Sequence, residues 1–265
     1  MTLFQSFLLG IIQGLTEFIP VSSTAHLLIT QRILNIPADD AMFSFLVIVQ
    51  LGTIVSLFAF YWKDLLSIVK ATLDFRHVTL ERNLGIYIIV ATIPALLAGY
   101  LLKDAVEALF KQPMLEASIR LFTAAVLLTL AEWLTQKNRT LDSMTWFDAL
   151  VVGVMQVIAV FPGASRSGTT ISGGMFRGLD RPSAARFAFL MSVPVMLAAG
   201  GYEMLDVLKM PNLGDFLPLL AVGFVTAAIV GWFAIKWLIN YLSKHSLYVF
   251  AAYCAVVVLI VFFLK

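Results

Sequence analysis

The chain has 265 residues, of which 60% are hydrophobic and only 13% are charged, and its mean hydropathy is +0.93. This composition excludes an ordinary soluble domain and predicts a polytopic membrane protein. The net charge of +2 and the lack of a Lys/Arg run with interleaved aromatics argue against a nucleic-acid partner, and the single Cys254 excludes an intrachain disulfide and a multi-cysteine metal site.

Apolar runs of membrane-spanning length dominate the chain. The N-terminal segment has no basic region and no clear cleavage site, so we expect it to be kept as structure rather than removed as a signal peptide. Six runs are each close to the ~20 residues needed to cross a bilayer. They cover residues 41–62, 84–102, 115–135, 184–205, 216–238 and 247–264.

Two further apolar runs, 2–35 and 145–180, are interrupted near their middles by proline, glycine, serine and threonine. Irregular backbone at membrane depth is tolerated only where protein or a water-filled cavity surrounds it. We therefore predict two re-entrant helix pairs whose breaks lie in the interior of the bundle.

The two interrupted runs resemble each other. Gly10, Gln13, Pro20 and Ser23 of the first recur as Gly153, Gln156, Pro162 and Ser165 of the second. This similarity predicts one integral membrane domain, 1–265, of the all-α polytopic class. Six transmembrane helices and two re-entrant helix pairs would form an inverted repeat of about 1–135 and 145–265. Inverted repeats with broken helices commonly place a site near the membrane midplane.

Basic residues are distributed unequally between the predicted loops. Eleven lie on the side that holds loops 63–83, 136–145, 177–186 and 236–246, whereas six, among them Arg120, are assigned to the other side. The positive-inside rule predicts that the first side is cytoplasmic and that both termini face outward.

The first break contains QGLTEFIPVSSTAH, residues 13–26. Gln13 and Glu17 are four residues apart and would share one helix face. A carboxylate beside an amide oxygen could hold part of the oxygen shell of a divalent cation, or Glu17 could act as a general base. A structural pairing of Glu17 with Arg166 and a purely structural Gln13 are the alternatives.

Hydroxyl residues follow the proline of this break. Ser22, Ser23 and Thr24 predict a helix N-terminus with a hydroxyl cap and free N–H groups, which favours anion binding. Ser23 and His26 are three residues apart and could form a nucleophile or acid–base pair on one face. A capping serine and a buried structural histidine are the alternatives.

The second break contains FPGASRSGTTISGG, residues 161–174. A charged side chain at the bilayer centre costs roughly 2.5–3.5 kcal/mol, so an arginine here is expected to have a functional role. Its guanidinium suits phosphate, and small residues around it leave backbone N–H groups accessible. Arg166 is surrounded by Gly163, Ser165, Ser167, Gly168, Thr169 and Thr170. The two breaks together predict chemistry on a phosphate inside a membrane.

With these motifs, essentially the whole chain resembles the bacterial undecaprenyl-diphosphate phosphatases associated with bacitracin resistance. The (E/Q)xxxE motif of that family is matched by Gln13 and Glu17, and its PVSSTxH stretch by residues 20–26. Its PGxSRSxxT motif is matched at Pro162, Gly163, Ser165, Arg166, Ser167 and Thr170. Many members have Glu where this chain has Gln13, so a mechanism that needs two carboxylates for metal binding does not suit it.

The resemblance implies hydrolysis of the terminal phosphate of undecaprenyl diphosphate to give undecaprenyl phosphate, the lipid carrier of peptidoglycan synthesis. It also implies a bacterial inner-membrane enzyme with an outward-facing site and a divalent cation, Mg²⁺ or Ca²⁺, for which Glu17 and Gln13 are the candidate ligands.

Candidate roles follow for the polar residues of both breaks. Ser23 is the candidate nucleophile, with Glu17 as base or metal ligand and His26 as acid or base. Arg166 would clamp the diphosphate. Attack by His26 or by an activated water is left open. The candidate substrate-binding residues are Ser22, Thr24, Gly163, Ser165, Ser167, Gly168, Thr169 and Thr170.

A polyprenyl-phosphate transporter or flippase is the alternative function, because broken helices that meet at a midplane are also typical of transporters. Such a carrier would need the phosphate clamp but no nucleophile. The expected partners are a polyprenyl diphosphate and membrane lipids, and the sequence leaves open whether the chain forms a homo-oligomer.

Overall fold

The computed structural model describes residues 1–37, 39–74, 76–101, 113–160, 164–207 and 213–263. Within these ranges the regular secondary structure is helical, apart from an isolated bridge between Arg139 and Leu179. The first half contains α1 (Leu3–Thr16), α2 (Ser23–Ile33), α3 (Asp40–Leu73), α4 (Leu80–Leu101) and α5 (Pro113–Leu134). After a short 3₁₀ turn, Leu141–Ser143, the second half contains α6 (Trp146–Val160), α7 (Arg166–Phe176), α8 (Arg181–Val207), α9 (Leu213–Leu242) and α10 (Tyr248–Phe263).

Each of the six predicted apolar runs coincides with a helix. Four helices in the described part of the chain are long and apolar enough to cross a membrane: α3, α4, α5 and α9. The prediction of an all-α, multi-pass membrane protein is therefore confirmed. The assignment of α8 and α10 as two further crossings stays a prediction, since α10 has only 16 residues.

Helix α3 continues eleven residues beyond the apolar run that predicted it, from 62 to 73. Its backbone departs from helical geometry at Tyr61, where φ is −105° and ψ is 19°. The continuation begins with Lys63 and Asp64, which ended the apolar run in the sequence. The helix therefore extends beyond the apolar run that predicted it.

Both predicted breaks are present between helices. Helix α1 ends at Thr16 and α2 begins at Ser23, whereas α6 ends at Val160 and α7 begins at Arg166. Serine caps both new helices: the Ser22 side chain accepts from the N–H of Ala25, and the Ser165 side chain from the N–H of Gly168. A hydroxyl cap stabilises a helix start by satisfying one of its free N–H groups.

The two halves pack across each other. Helix α1 lies against α9, and α6 lies against α4. A Cβ added at Gly10 would lie 2.7 Å from the carbonyl oxygen of Gly223, and one added at Gly153 would lie 2.5 Å from that of Ala91. Glycine at these two positions therefore permits close backbone approach between helices.

Ion pairs gather at the end of the bundle where α6 begins. Arg139 Nη2 and Arg177 Nε each lie 2.7 Å from an oxygen of the fully buried Asp148. The guanidinium of Arg181 donates from two nitrogens to the Glu132 carboxylate, at 2.6 and 2.7 Å. In the sequence these arginines were counted among the basic residues that orient the chain, and in the structure they also connect helix ends through ion pairs.

Candidate active site

The two breaks meet at one polar cavity of about 230 Å³. Residues from α2 to α8 and from both connecting segments line it, so it lies in the interior of the helix bundle. Its polar and charged lining residues are Glu17, Ser22, Ser23, Thr24, Gln50, Arg120, Gln156, Ser165, Arg166 and Ser167. Helices α2 and α7 both begin at this cavity, so the partial positive charges of two N-termini favour an anion there.

Glu17 joins the two sequence motifs. It follows α1 directly and is 5% exposed. One carboxylate oxygen, Oε2, accepts from Gln13 Nε2 at 2.7 Å and from Ser23 Oγ at 2.7 Å. The other oxygen, Oε1, accepts from the guanidinium of Arg166. The prediction that Gln13 and Glu17 share a helix face is confirmed, and the carboxylate is held by groups from three segments.

Ser23 is the first residue of α2, and its hydroxyl proton points to Glu17. The preceding Ser22 has a φ of 68°, which residues with a side chain seldom adopt. Its carbonyl oxygen lies 2.8 Å from His26 Nδ1, a contact that helps to hold this turn. A hydroxyl whose proton is held by a buried carboxylate, at the positive end of a helix, is arranged for nucleophilic attack.

His26 contacts Ser22 and Tyr253 rather than Ser23, the partner that was predicted. Its Nε2 lies 2.8 Å from the Tyr253 hydroxyl, and the two rings are stacked with centroids 5.6 Å apart. Because the Ser22 carbonyl only accepts, the neutral imidazole carries its proton on Nδ1 and accepts from Tyr253 through Nε2. His26 is not among the residues that line the cavity in the described structure.

Arg166 is the first residue of α7, and its side chain is 22% exposed at the cavity. Ser165 and Ser167 line the cavity beside it. The hydroxyls of Thr169 and Thr170 instead donate to the backbone carbonyl of Arg166, at 2.9 and 2.8 Å. These two threonines therefore stabilise the first turn of α7.

The remaining predicted substrate-binding residues divide into three groups. Ser22 and Thr24 line the cavity, as Ser165 and Ser167 do. The N–H of Gly168 donates to Ser165 Oγ at 3.2 Å, so this glycine serves the helix start as the threonines do. Gly163 lies outside the described residues. Direct substrate contact by the glycine and threonine residues stays a prediction.

Arg120 corrects the sequence interpretation, which counted it among the six basic residues of one membrane side. It lies inside α5, is 7% exposed and lines the cavity. Its Nε donates to Glu116 Oε1 at 2.8 Å, and its Nη1 donates to the carbonyl oxygen of Ala164 at 3.1 Å. The four-residue spacing of Glu116 and Arg120 within an apolar run was the available signal.

Gln50, Gln156 and Tyr253 were not predicted as site residues either. Gln50 comes from α3 and Gln156 from α6, and both line the cavity. Tyr253 comes from α10 and contacts His26. Nothing in the local sequence around Gln50 or Tyr253 distinguishes them from ordinary residues of an apolar helix. Gln156 had a signal, its correspondence to Gln13, which was interpreted as structural.

The residues present restrict how a cation could bind. No group of three His, Cys, Asp or Glu side chains that could hold a metal occurs in the described ranges. Among the described residues that line the cavity, Glu17 provides the one carboxylate. Mg²⁺ is commonly held by one or two carboxylates together with substrate phosphates. This donor set fits a cation that takes most of its oxygens from the substrate.

Comparison with known proteins identifies the family. The model of the family described as "Bacitracin resistance protein BacA" matches residues 6–260. A protein of Alkaliphilus metalliredigens named undecaprenyl-diphosphatase is 40% identical over 264 residues, covering 96% of this chain and 95% of the relative. Proteins of the same name from Chlorobium phaeobacteroides and Mycobacterium marinum are 40% and 39% identical, covering 96% and 100% of this chain and 93% and 95% of the relatives. The chain therefore belongs to the bacitracin resistance protein BacA family.

Proposed function

We propose that this protein is a membrane undecaprenyl-diphosphatase, which hydrolyses undecaprenyl diphosphate to undecaprenyl phosphate and inorganic phosphate. The observation that carries the proposal is the carboxylate of Glu17, which accepts from both Ser23 and Arg166 at a buried polar cavity. Relatives that match nearly the full chain bear the same activity in their names. A clamp and an activated hydroxyl at one point suit phosphoryl transfer.

The first step is attack by Ser23. Its Oγ bonds to the terminal phosphorus, the bond from that phosphorus to the bridging oxygen breaks, and undecaprenyl phosphate leaves with the bonding electrons. Glu17 Oε2, 2.7 Å from Oγ, accepts the serine proton. In the second step a water oxygen bonds to the phosphorus of the phosphoserine, the bond from that phosphorus to Ser23 Oγ breaks, and the proton on Glu17 returns to Oγ, so that inorganic phosphate leaves with both water protons and the hydroxyl is restored. The geometry favours Ser23 over His26 because Ser23 lines the cavity.

Arg166 and the two helix N-termini stabilise the negative charge of the transferring phosphoryl group. Phosphoryl transfer depends chiefly on positioning and on such electrostatic stabilisation. Arg166 is already paired with Glu17, so substrate would share the guanidinium with the carboxylate. Gln13 donates to Glu17 and thereby fixes the orientation of the base. His26, bonded to Ser22 and Tyr253, would hold the turn that presents Ser23.

A divalent cation, Mg²⁺ or Ca²⁺, is part of the proposal. In this alternative Glu17 would act as its carboxylate ligand rather than as the base, Gln13, which is buried behind the cavity lining, would be an amide ligand, and the diphosphate and water would supply the remaining oxygens. Such a cation would offset part of the substrate charge when bound. The protein itself supplies the residues that bind and orient the substrate and that accept the serine proton.

The finer topology is proposed on the packing of the helices. Helices α1 and α6 have 14 and 15 residues, about 21–22 Å at 1.5 Å per residue, and are shorter than the ~30 Å hydrocarbon core. Each is followed by a break and a second short helix of 11 residues, α2 or α7, and would therefore enter the membrane and turn back. The crossed contacts of α1 with α9 and of α6 with α4 support an inverted repeat with six crossings.

The orientation rests on charge. The end that carries the Asp148 and Glu132 ion pairs collects the larger set of basic loop residues, and it would face the cytoplasm. Because Arg120 lies buried inside α5, it no longer counts for the opposite side, which increases this asymmetry. The cavity would then open to the outer side of the bacterial inner membrane, where the substrate diphosphate would be reached.

Phosphate release from undecaprenyl diphosphate by the purified protein in detergent tests the function. We expect release with Mg²⁺ or Ca²⁺, its loss with EDTA, and its loss in Arg166→Ala. Arg32→Ala, which removes an exposed arginine that does not line the cavity in the described structure, is the matched control. No release by folded wild-type protein with either metal would reject the phosphatase and favour transport of a polyprenyl phosphate.

A further inference from the structure

Gln156 on α6 combines two features that no other described residue combines. Its side chain is 2% exposed, and neither its amide nitrogen nor its amide oxygen has a hydrogen-bond partner. The same side chain lines the active-site cavity together with Glu17, Ser23 and Arg166. Most buried polar side chains in proteins are hydrogen-bonded. An amide without partners on the wall of a polar cavity therefore indicates a missing ligand.

Gln13, the corresponding residue of the first half, has a side-chain amide with a hydrogen-bond partner. Gln13 donates from Nε2 to Glu17, four residues further along the chain. Four residues after Gln156 the sequence has Val160, where the first half has the carboxylate residue Glu17. The second half thus retains the glutamine without its carboxylate. The amide of Gln156 is left for a group that enters the cavity.

A second buried group without a partner provides a contrast. Ser172 on α7 is 0% exposed and its hydroxyl also has no partner, but it does not line the cavity in the described structure. Ser172 is therefore a local packing feature, whereas Gln156 borders the cavity. The cavity volume of about 230 Å³ is several times the ~30 Å³ that one water molecule occupies in the liquid.

We propose that Gln156 binds substrate directly, its Nε2–H donating to a non-bridging phosphate oxygen of the diphosphate. This inference rests on the proposed function and adds a contact to it. Phosphate oxygens accept hydrogen bonds, and a neutral amide donates one without adding charge beside Arg166 and Arg120. Gln156 comes from the second repeat and Ser23 from the first. The substrate phosphate is thus held from both halves.

Binding of methylenediphosphonate, a diphosphate analogue that cannot be hydrolysed, tests the contact without catalysis. Affinity is measured by calorimetry for wild type, Gln156→Leu, Gln156→Glu and Ser172→Ala. We expect Gln156→Leu to weaken binding about tenfold, because a hydrogen bond to a charged group is lost. Gln156→Glu should weaken it further through repulsion. Ser172→Ala, which removes a buried hydroxyl outside the cavity, should bind as wild type does.

Melting temperature separates binding from a structural role. Replacing an amide without partners by a leucine of similar volume is neutral or stabilising, so Gln156→Leu should melt at or above the wild-type temperature. A residue that supports the fold would instead lower it. Kinetics give a second measure: kcat/KM for undecaprenyl diphosphate should fall about tenfold in Gln156→Leu.

The results distinguish the two proposals. If the wild-type protein binds the analogue and Gln156→Leu binds it more weakly, the contact is supported even when the protein releases no phosphate. In that case only the phosphatase proposal is rejected. Unchanged analogue affinity and unchanged kcat/KM in Gln156→Leu overturn the contact and leave the phosphatase in place. A variant that melts well below wild type would also overturn it, because that result assigns Gln156 to the fold.

Discussion

Arg166→Ala should destabilise the protein as well as inactivate it, and adding Glu17→Gln should restore stability without restoring activity. The Glu17 side chain is 2% exposed, and the Arg166 guanidinium is its cationic partner. Removing one partner of a buried ion pair costs about 3–5 kcal/mol, because the remaining charge is uncompensated. Glu17 keeps its hydrogen bonds from Gln13 and Ser23, so we expect the lower end, about 3 kcal/mol.

The double variant removes the charge that Arg166→Ala leaves behind. Most of the stability should return, since a neutral glutamine at position 17 has a much smaller desolvation cost than a carboxylate. At roughly 2–4 °C per kcal/mol, Arg166→Ala should melt ~6–12 °C below wild type, and the double variant within a few degrees of it. Phosphate release should fall at least ~100-fold in both, because both lack the clamp.

Melting of the purified proteins in detergent and phosphate release from undecaprenyl diphosphate measure the two effects, with Arg32→Ala as the control. If the stability losses of Arg166→Ala and Glu17→Gln simply add in the double variant, the stability of buried Glu17 does not depend on Arg166. That result would refute the argument from burial. Wild-type activity in the double variant would remove both residues from the mechanism.

Three further predictions concern single residues. Ser23→Ala should lower kcat at least roughly 1,000-fold and abolish a trapped phosphoserine, and phosphate trapped on His26 instead would contradict the proposed nucleophile. Tyr253→Phe removes the hydroxyl bonded to His26 Nε2 and should lower kcat about three- to tenfold; an unchanged rate would show that this contact does not position the histidine. Arg181→Met should lower the melting temperature yet keep kcat/KM within about twofold. Its partner Glu132 lies about 18 Å along α5 from Arg120, the residue of that helix that lines the cavity. A large loss of activity in folded Arg181→Met would argue against that separation.

Helix positions could be predicted because hydrocarbon imposes a strong compositional requirement. The apolar runs located α3, α4, α5 and α9, and the clusters of proline, glycine and serine located both breaks. Helix ends were less predictable. The extension of α3 to Leu73 carries Lys63 and Asp64, and no hydrophobic signal marks a helix that continues beyond the apolar run.

The site was predictable where its residues lie close together in sequence. Gln13 and Glu17 were predicted to share a face because they are one helical turn apart, and in the structure Gln13 donates a hydrogen bond to Glu17. Partners from distant segments were not predictable. Ser23 was expected to pair with His26 three residues later, yet its hydroxyl donates to Glu17 across the break.

The sequence alone determined that the chain is a helical membrane protein with two polar interruptions suited to phosphate. Partition of side chains between water and hydrocarbon depends on local composition, so it can be deduced without knowing the fold. Only the tertiary structure decided that Arg120 and Gln156 face the same cavity as Glu17. Arg120 and Gln156 come from two helices and Glu17 from the segment that follows α1, and the direction in which a buried polar side chain points depends on how these elements pack.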